Sequence, residues 1–160
     1  MDRESPTKGG WRGFALSCFF CCAVLLLNFM NLINIYFDGG ARPTNPGKGY
    51  GSYEVQSLVK ELNHKASRQE FGEPLSNNQA EYLALIAALK WLRHQVADGN
   101  YRLMIWTDSK LVRCQVARQW KTKCVHILEL RDEVLELLAP YKHWEIYWHG
   151  RNNNVARFGH

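Results

Sequence analysis

Two runs of strand length each stop at an aspartate. Residues 32–37 read LINIYF before Asp38, and residues 101–107 read YRLMIWT before Asp108. Apolar runs rich in β-branched and aromatic residues are typical of strands covered on both faces. If the two strands are parallel neighbours joined through a helix, both carboxylates emerge at one edge of the sheet, where ligand sites of α/β folds form.

The rest of the pattern predicts one α/β domain. A meander of three strands comes first, and residues 78–95 then follow a helical period behind a capping Ser76 or Asn77. Further elements are predicted as a short helix over residues 109–119, an amphipathic helix over 127–137 and a last strand over 143–148. The order β-β-β-α-β-α-α-β predicts a mixed sheet flanked by helices.

Composition excludes several other classes of protein. The 160 residues are 46% hydrophobic and 22% charged, which excludes a disordered, collagen-like or coiled-coil chain. The net charge of +5 suits a polyanionic partner without identifying one. The five cysteines have no framework or zinc-site spacing, so we expect a reducing compartment, the cytoplasm.

The N-terminal stretch differs from the rest of the chain. Residues 14–30 are almost wholly apolar and only just long enough to span a bilayer. Three interpretations stay open: translation that begins at Met30, a membrane or export segment, or an extension packed on the domain. We therefore divide the chain into an extension, 1–29, and a domain, 30–160. A membrane partner is expected only if 14–30 is a real anchor.

A third carboxylate joins the two aspartates. Glu81 falls in the first turn of the predicted helix, from which it can lean over the edge that carries Asp38 and Asp108. Three converging carboxylates repel one another, and a divalent hard cation is the usual compensation. Spacing alone leaves the alternative open, in which Asp38 is a turn residue and Asp108 a helix cap.

Three local motifs resemble type 1 ribonuclease H. Residues 35–55, IYFDGGARPTNPGKGYGSYEV, resemble its opening motif, in which an aspartate is followed by an Asn-Pro-Gly turn. Residues 77–81, NNQAE, resemble the asparagine pair before the catalytic glutamate, and residues 105–109, IWTDS, resemble the Thr-Asp-Ser motif. The motifs stand in family order, and the resemblance covers about residues 31–157.

The resemblance implies a five-stranded ribonuclease H-like fold that binds an RNA/DNA hybrid and cuts the RNA strand. Asp38, Glu81 and Asp108 would hold two Mg²⁺ ions, with Mn²⁺ as the alternative metal. The substrate contacts it implies lie beside these carboxylates and in a basic-aromatic cluster: Asn45, Ser76, Asn77, Asn78, Trp120 and Lys121. Turn and capping chemistry is the alternative role for the asparagines, and core packing for Trp120.

The chain also departs from the family pattern. Many members carry a long basic protrusion where this chain has only a short lysine cluster, so substrate binding should be weaker and more salt-sensitive. Arg157 stands where the family has a fourth carboxylate, and we expect the usual terminal helix to be missing. His160 could replace that ligand, which would favour Mn²⁺, the reading frame could be truncated or shifted, or three carboxylates could suffice. His149 and Arg151 follow the last strand, near a loop that in the family assists proton transfer or product release.

The leading hypothesis is a metal-dependent endonuclease that hydrolyses the RNA strand of RNA/DNA hybrids by a two-metal-ion mechanism. The alternative is a catalytically impaired hybrid-binding protein of the same fold. Another nuclease or recombinase on this fold, and a membrane-anchored interaction protein, are weaker hypotheses. No protein partner is implied, and we expect a monomer.

Overall fold

Five strands form one mixed sheet in the order β3-β2-β1-β4-β5. The computed structural model describes residues 32–96 and 99–159. The extension 1–29 and His160 therefore lie outside the described residues. The strands are β1 (Leu32–Arg42), β2 (Gly47–Ser57), β3 (His64–Leu75), β4 (Arg102–Thr107) and β5 (His143–Trp148). A single 3₁₀ turn, Lys60–Leu62, connects β2 to β3.

Strand β1 lies at the centre of the sheet. It pairs in parallel with β4, with Tyr36 opposite Trp106, and antiparallel with β2, with Asp38 opposite Ser52. Strand β5 extends the parallel half beyond β4, and β3 extends the antiparallel half beyond β2. The parallel pairing of β1 and β4 confirms that their carboxyl ends meet at one edge.

Within the described residues there are four α-helices: α1 (Asn77–Gln95), α2 (Lys110–Val116), α3 (Val125–Leu138) and α4 (Arg151–Phe158). The first three pack on one face of the sheet, where Ile33, Ile35 and Phe37 of β1 are fully buried. Helix α1 begins with a capping box, in which Ser76 and Gln79 each accept a hydrogen bond from the other's backbone N–H. The predicted element order up to β5 is thus confirmed, with α2 ending at Val116 rather than at residue 119.

The expectation of a missing terminal helix is wrong. Helix α4 occupies the sheet face opposite α1–α3, and the buried amide of Asn154 donates to the carbonyl oxygen of Phe37 at 3.3 Å. Arg157, one turn further on, donates to Glu54 of β2 at 2.7 Å. Gly159 ends the helix with a φ of 78°, a left-handed conformation that glycine adopts without steric cost. These distant contacts stabilise a helix too short to be stable alone.

An aromatic layer lies under α4. Trp106 stacks between Tyr36, 6.2 Å away between ring centroids, and Tyr147, 4.8 Å away. The indole nitrogen of Trp106 also donates to Asn34 at 3.1 Å. These side chains come from the three parallel strands, so one face of the sheet carries α1–α3 and the other carries an aromatic surface beneath α4. No helix in residues 32–96 or 99–159 is long and apolar enough to cross a membrane.

Candidate active site

The three predicted carboxylates line a single cavity of about 290 Å³. Asp38 comes from β1, Glu81 from the first turns of α1, and Asp108 from the residue after β4. Asn77 and Arg151, the first residues of α1 and α4, line the same cavity. The cavity therefore lies where the parallel strands end, as expected for a ligand site of an α/β sheet.

A close approach of backbone brings Glu81 beside Asp38. A Cβ atom built on Gly39 would lie only 2.4 Å from the carbonyl carbon of Ala80 and 2.5 Å from the backbone nitrogen of Glu81. Only glycine allows β1 and α1 to touch here. The backbone N–H of Gly39 also donates to a carboxylate oxygen of Asp38 at 2.8 Å, which orients that side chain.

Hydrogen bonds fix the two residues that follow β4, Asp108 and Ser109. The hydroxyl of Ser109 caps α2 by accepting from Val112 N, and it also hydrogen-bonds the Glu81 carboxylate. The indole nitrogen of Trp148 donates to the backbone oxygen of Asp108 at 2.9 Å. Ser109 was not among the predicted site residues, although it completes the Thr-Asp-Ser motif. In this motif Asp108 is a carboxylate of the cavity, while Ser109 caps α2 and hydrogen-bonds Glu81.

Burial and mutual repulsion change the acidity of two of these groups. Burial raises the pKa of Asp38 to about 7, with a further contribution from Asp108; the N–H of Gly39 and the charge of Arg151 act in the opposite direction. Burial likewise raises the pKa of Glu81 to about 7, and the charges of both aspartates add to this while Ser109 opposes it. A positive charge in the cavity would stabilise the ionised carboxylates of Asp38 and Glu81 and lower their pKa values.

The donor set fits a hard divalent cation in its chemistry. Carboxylate oxygens are the preferred protein ligands of Mg²⁺ and Mn²⁺. Oxygen Oε2 of Glu81 is buried and accepts no hydrogen bond from the described residues, so it is available as a ligand. Across residues 32–96 and 99–159, however, no three acidic, histidine or cysteine side chains already surround a single point. The carboxylates share a cavity without being drawn together.

The predicted asparagines are engaged in positioning the backbone around the cavity. Asn77 Oδ1 accepts from the backbone of Ala41 at 2.8 Å, and Asn45 Oδ1 accepts from the backbone of Asn77 at 3.0 Å. These two hydrogen bonds join β1 and the β1–β2 turn to the start of α1. They correspond to the turn and capping chemistry that the sequence predicts as the alternative role of the asparagines. Ser76 also caps α1, and Asn78 is half-buried next to it.

Other predicted residues lie outside the cavity. Trp120 is 52% exposed, which excludes core packing for it, and neither Trp120 nor Lys121 lines the carboxylate cavity. His149 faces the aromatic layer instead, with its ring centroid 6.5 Å from that of Trp106. Of the two residues predicted after β5, Arg151 is the one in the cavity. The candidate ligand His160 lies outside the described residues.

Arg157 does not enter the carboxylate cavity. Its guanidinium lies 3.5 Å from the centre of the Tyr36 ring and pairs with Glu54, so it faces the aromatic layer. The cation that replaces an expected carboxylate is therefore neutralised on the opposite face of the sheet. No fourth carboxylate from the described part of the chain lines the cavity.

Comparison with known proteins settles the family. The family model described as RNase H matches residues 30–149. The chain belongs to the ribonuclease H family.

Two relatives in this ribonuclease H family come from an archaeon and a mycobacterium. Ribonuclease HI of Halobacterium salinarum is 33% identical over 119 residues, covering 71% of this chain and 54% of that protein. Bifunctional protein Rv2228c of Mycobacterium tuberculosis is 34% identical over 123 residues, covering 74% of this chain. The chain thus spans about half of the first relative and only 31% of the second.

Solved ribonuclease H structures share the fold. The N-terminal RNase H domain of Rv2228c aligns with a TM-score of 0.67 at 28% identity, covering 78% of this chain and 91% of that one. LC11-RNase H1, a ribonuclease isolated from compost by a metagenomic approach, was solved with an RNA/DNA hybrid. That complex aligns with a TM-score of 0.66 at 27% identity, covering 78% of this chain and 89% of that one.

Proposed function

We propose that this protein is a metal-dependent endoribonuclease that hydrolyses the RNA strand of RNA/DNA hybrids. The observation that carries the proposal is the common cavity of Asp38, Glu81 and Asp108 at the carboxyl edge of the parallel strands. Membership of the ribonuclease H family and the hybrid bound to LC11-RNase H1 support this choice of substrate.

Divalent metal use is general in the ribonuclease H family, and we propose Mg²⁺ here, with Mn²⁺ as the alternative. Asp38, Glu81 and Asp108 would hold the ions, and the buried Oε2 of Glu81 gives one donor. When bound, two such ions supply Lewis acidity and neutralise charge that develops on the attacking and leaving oxygens.

The chain's own residues prepare the cavity for this chemistry. Gly39 N–H and Ser109 orient the side chains of Asp38 and Glu81. The three carboxylates would still have to move closer together to hold a cation. Arg151 brings a permanent positive charge to the rim, where it can pair with a phosphate. Asn45 and Asn77 join the β1–β2 turn to the start of α1 through their side-chain oxygens, and Asn77 also lines the cavity.

A catalytically impaired hybrid-binding protein remains the second candidate. The observation that favours it is that the described part of the cavity has three carboxylates and two arginines, Arg42 and Arg151, where the family pattern expects four carboxylates. Against it stands the cost of bringing three half-buried carboxylates into one cavity, where they repel phosphate unless a cation is present. A pure binding protein would gain nothing from this cluster.

Cleavage of an end-labelled RNA/DNA hybrid by the full chain tests the proposal. The assay is run in Mg²⁺ and separately in Mn²⁺, with single-stranded RNA and duplex DNA as competing substrates. We expect hybrid-specific cutting that falls at least about 100-fold in Asp38→Asn, Glu81→Gln and Asp108→Asn. Asp132→Asn removes an exposed carboxylate from α3 and should leave the rate unchanged.

The binding of the same hybrid separates the two candidates. Anisotropy measured with the uncut, fully 2′-O-methylated hybrid gives affinity without cleavage. Tight binding by a folded protein that cuts in neither metal would reject the nuclease and favour the binding protein. Cutting at wild-type rate by Asp38→Asn would reject the assignment of the site.

A further inference from the structure

A second concave surface lies next to the carboxylate cavity and carries the opposite charge. Its volume is about 410 Å³, and we call it the cationic groove. The residues that define it come from β1 and β2 on either side of the turn between them, and from β3: Arg42, Lys48, Tyr50, Arg68 and Glu70. All three cations are exposed, and together with Glu70 they give the groove a net charge of +2.

The cationic groove is continuous with the carboxylate cavity. Arg42 and Tyr50 line both of them. The guanidinium of Arg42 lies 5.1 Å from the centre of the Tyr50 ring, and the Tyr50 hydroxyl approaches the backbone at Gly40, where an added Cβ would be 2.9 Å from it. Tyr50 therefore forms the wall between an acidic cavity and a basic groove, and it holds a cation on the basic side.

The charges on the groove suit phosphodiesters better than a small anion. Lys48 forms a 2.8 Å ion pair with Glu70, and both side chains are more than half exposed, so this pair is weak and readily exchanged. Arg42 and Arg68 add forked donors of the kind that bind phosphate oxygens. A row of cations along an open groove matches a chain of evenly spaced negative charges.

We propose that the cationic groove holds the phosphates of the RNA strand that flank the cut, as a backbone track leading into the carboxylate cavity. This inference rests on the proposed function. Adjacent phosphates of one strand lie closer together than phosphates facing each other across a groove of the duplex, so a surface continuous with the cavity meets the cut strand first. The track would supply positive charge that we expect the short lysine cluster, in place of a basic protrusion, not to provide.

The test removes two cations that line the groove but not the carboxylate cavity. The variant is Lys48→Gln with Arg68→Gln, and the matched control is Lys60→Gln with Arg93→Gln. The control pair has the same composition, is equally exposed and lines neither surface. Glutamine removes the charge at position 68 but keeps a long side chain. The backbone there has a φ of 52°, which the variant must also adopt.

We expect KM for the hybrid to rise about tenfold in the groove variant with kcat within about twofold. The slope of log Kd against log salt concentration should become shallower by about 2, one for each lost phosphate contact. The control should match the wild type in both. The proposal that the groove binds these phosphates is wrong if both variants have equal effects. It is also wrong if the groove variant has the KM and the salt slope of the wild type.

Neutral methylphosphonate linkages identify the strand. When these linkages flank the cut in the RNA strand, the wild type should bind the hybrid more weakly. The wild type and the groove variant should then bind it with equal affinity. The same result from linkages in the DNA strand alone would overturn the assignment to RNA. Hybrid binding that depends on Lys48 and Arg68 without cutting would reject the nuclease but keep the track, and absence of hybrid binding by the wild type would reject both.

Discussion

Arg157 lies against the face of Tyr36, with its guanidinium 3.5 Å from the ring centre, and pairs with Glu54 on the neighbouring strand. The contact joins α4 to both β1 and β2. It also keeps a positive charge out of the carboxylate cavity, although the sequence places that charge where an acidic metal ligand is expected. The residue that seemed to oppose catalysis is thus part of the packing of α4.

Loss of the Arg157 contacts with Tyr36 and Glu54, which we call the α4 anchor, should destabilise α4. Arg157→Ala deletes an ion pair and a cation–π contact, while the half-buried Glu54 keeps the hydrogen bond from Gln56 and the charge of Lys65. We expect a loss of about 1–3 kcal/mol in stability. Thermal unfolding of the full chain measures it. Arg157→Lys keeps the charge but not the planar contact and should retain part of the stability. Equal Tm values for wild type and Arg157→Ala would contradict the anchor.

The stability that Arg157 provides should depend on pH. Burial opposes ionisation of Glu54, but hydrogen bonds from Arg157 and Gln56 and the charges of Arg157 and Lys65 outweigh it, so the pKa of Glu54 is lowered. A lowered pKa in the folded state gives stability that is present above the unfolded value near 4.5 and lost as the pH falls through the folded value. The Tm difference between wild type and Arg157→Ala should therefore shrink at acid pH, and a constant difference would speak against the pairing.

The contact between β1 and α1 should tolerate no side chain at position 39. Gly39→Ala would put a methyl group within 2.5 Å of the backbone of Ala80 and Glu81, which must move apart. We expect a loss of at least about 2 kcal/mol in stability and a large loss of activity. Gly150→Ala is the matched control, because nothing lies within 4 Å of that added methyl group. Wild-type Tm and activity in Gly39→Ala would show that the close approach is not needed.

Ser76 has a structural role that can be separated from its predicted contact with substrate. Ser76→Ala and Gln79→Ala each remove half of the same capping box, so each should cost about 1 kcal/mol. If Ser76 also contacts the hybrid, only Ser76→Ala should raise KM, by several-fold. Thermal unfolding and steady-state kinetics of the two variants measure both effects. Equal KM values would leave Ser76 with capping alone.

The carboxylate cavity should make the metal-free protein less stable as the pH rises. Because burial and Asp108 raise the pKa of Asp38 from 3.8 to about 7, the folded state binds more protons than the unfolded state between those values. Stability therefore falls over that range and stays reduced above it. In EDTA, Asp38→Asn should melt several degrees above the wild type at pH 8, and the gap should close towards pH 4. A wild-type Tm equal to that of the variant at pH 8 would contradict the repulsion.

The sheet and its carboxylate edge were predictable because their signals are local. Apolar runs before Asp38 and Asp108 mark the parallel strands, and the helical period behind Ser76 places Glu81 in the first turns of α1. Once β1 and β4 are parallel, the three acids must meet at one edge. The proposed chemistry came from the resemblance of three local motifs to ribonuclease H, because spacing alone left turn and cap roles open for the two aspartates.

Helix α4 was missed because its stabilising contacts are distant in sequence. Its eight residues form no apolar stripe, and Asn154 and Arg157 find their partners on β1 and β2, about a hundred residues earlier. The cationic groove was missed for the same reason. Arg42, Lys48 and Arg68 form no run in the sequence, and only the pairing of β1, β2 and β3 brings them together.

The outer strand β3 has a consequence for how this protein behaves beside other copies of itself. Its pairing with β2 shifts register three times, Gly72 adopts a φ of 101°, and most of its side chains are exposed and many are charged. A straight row of unpaired N–H and C=O groups on a sheet border would serve as a template for strand addition and aggregation. This border is irregular and charged instead, so we expect β3 to hinder the addition of strands from other copies.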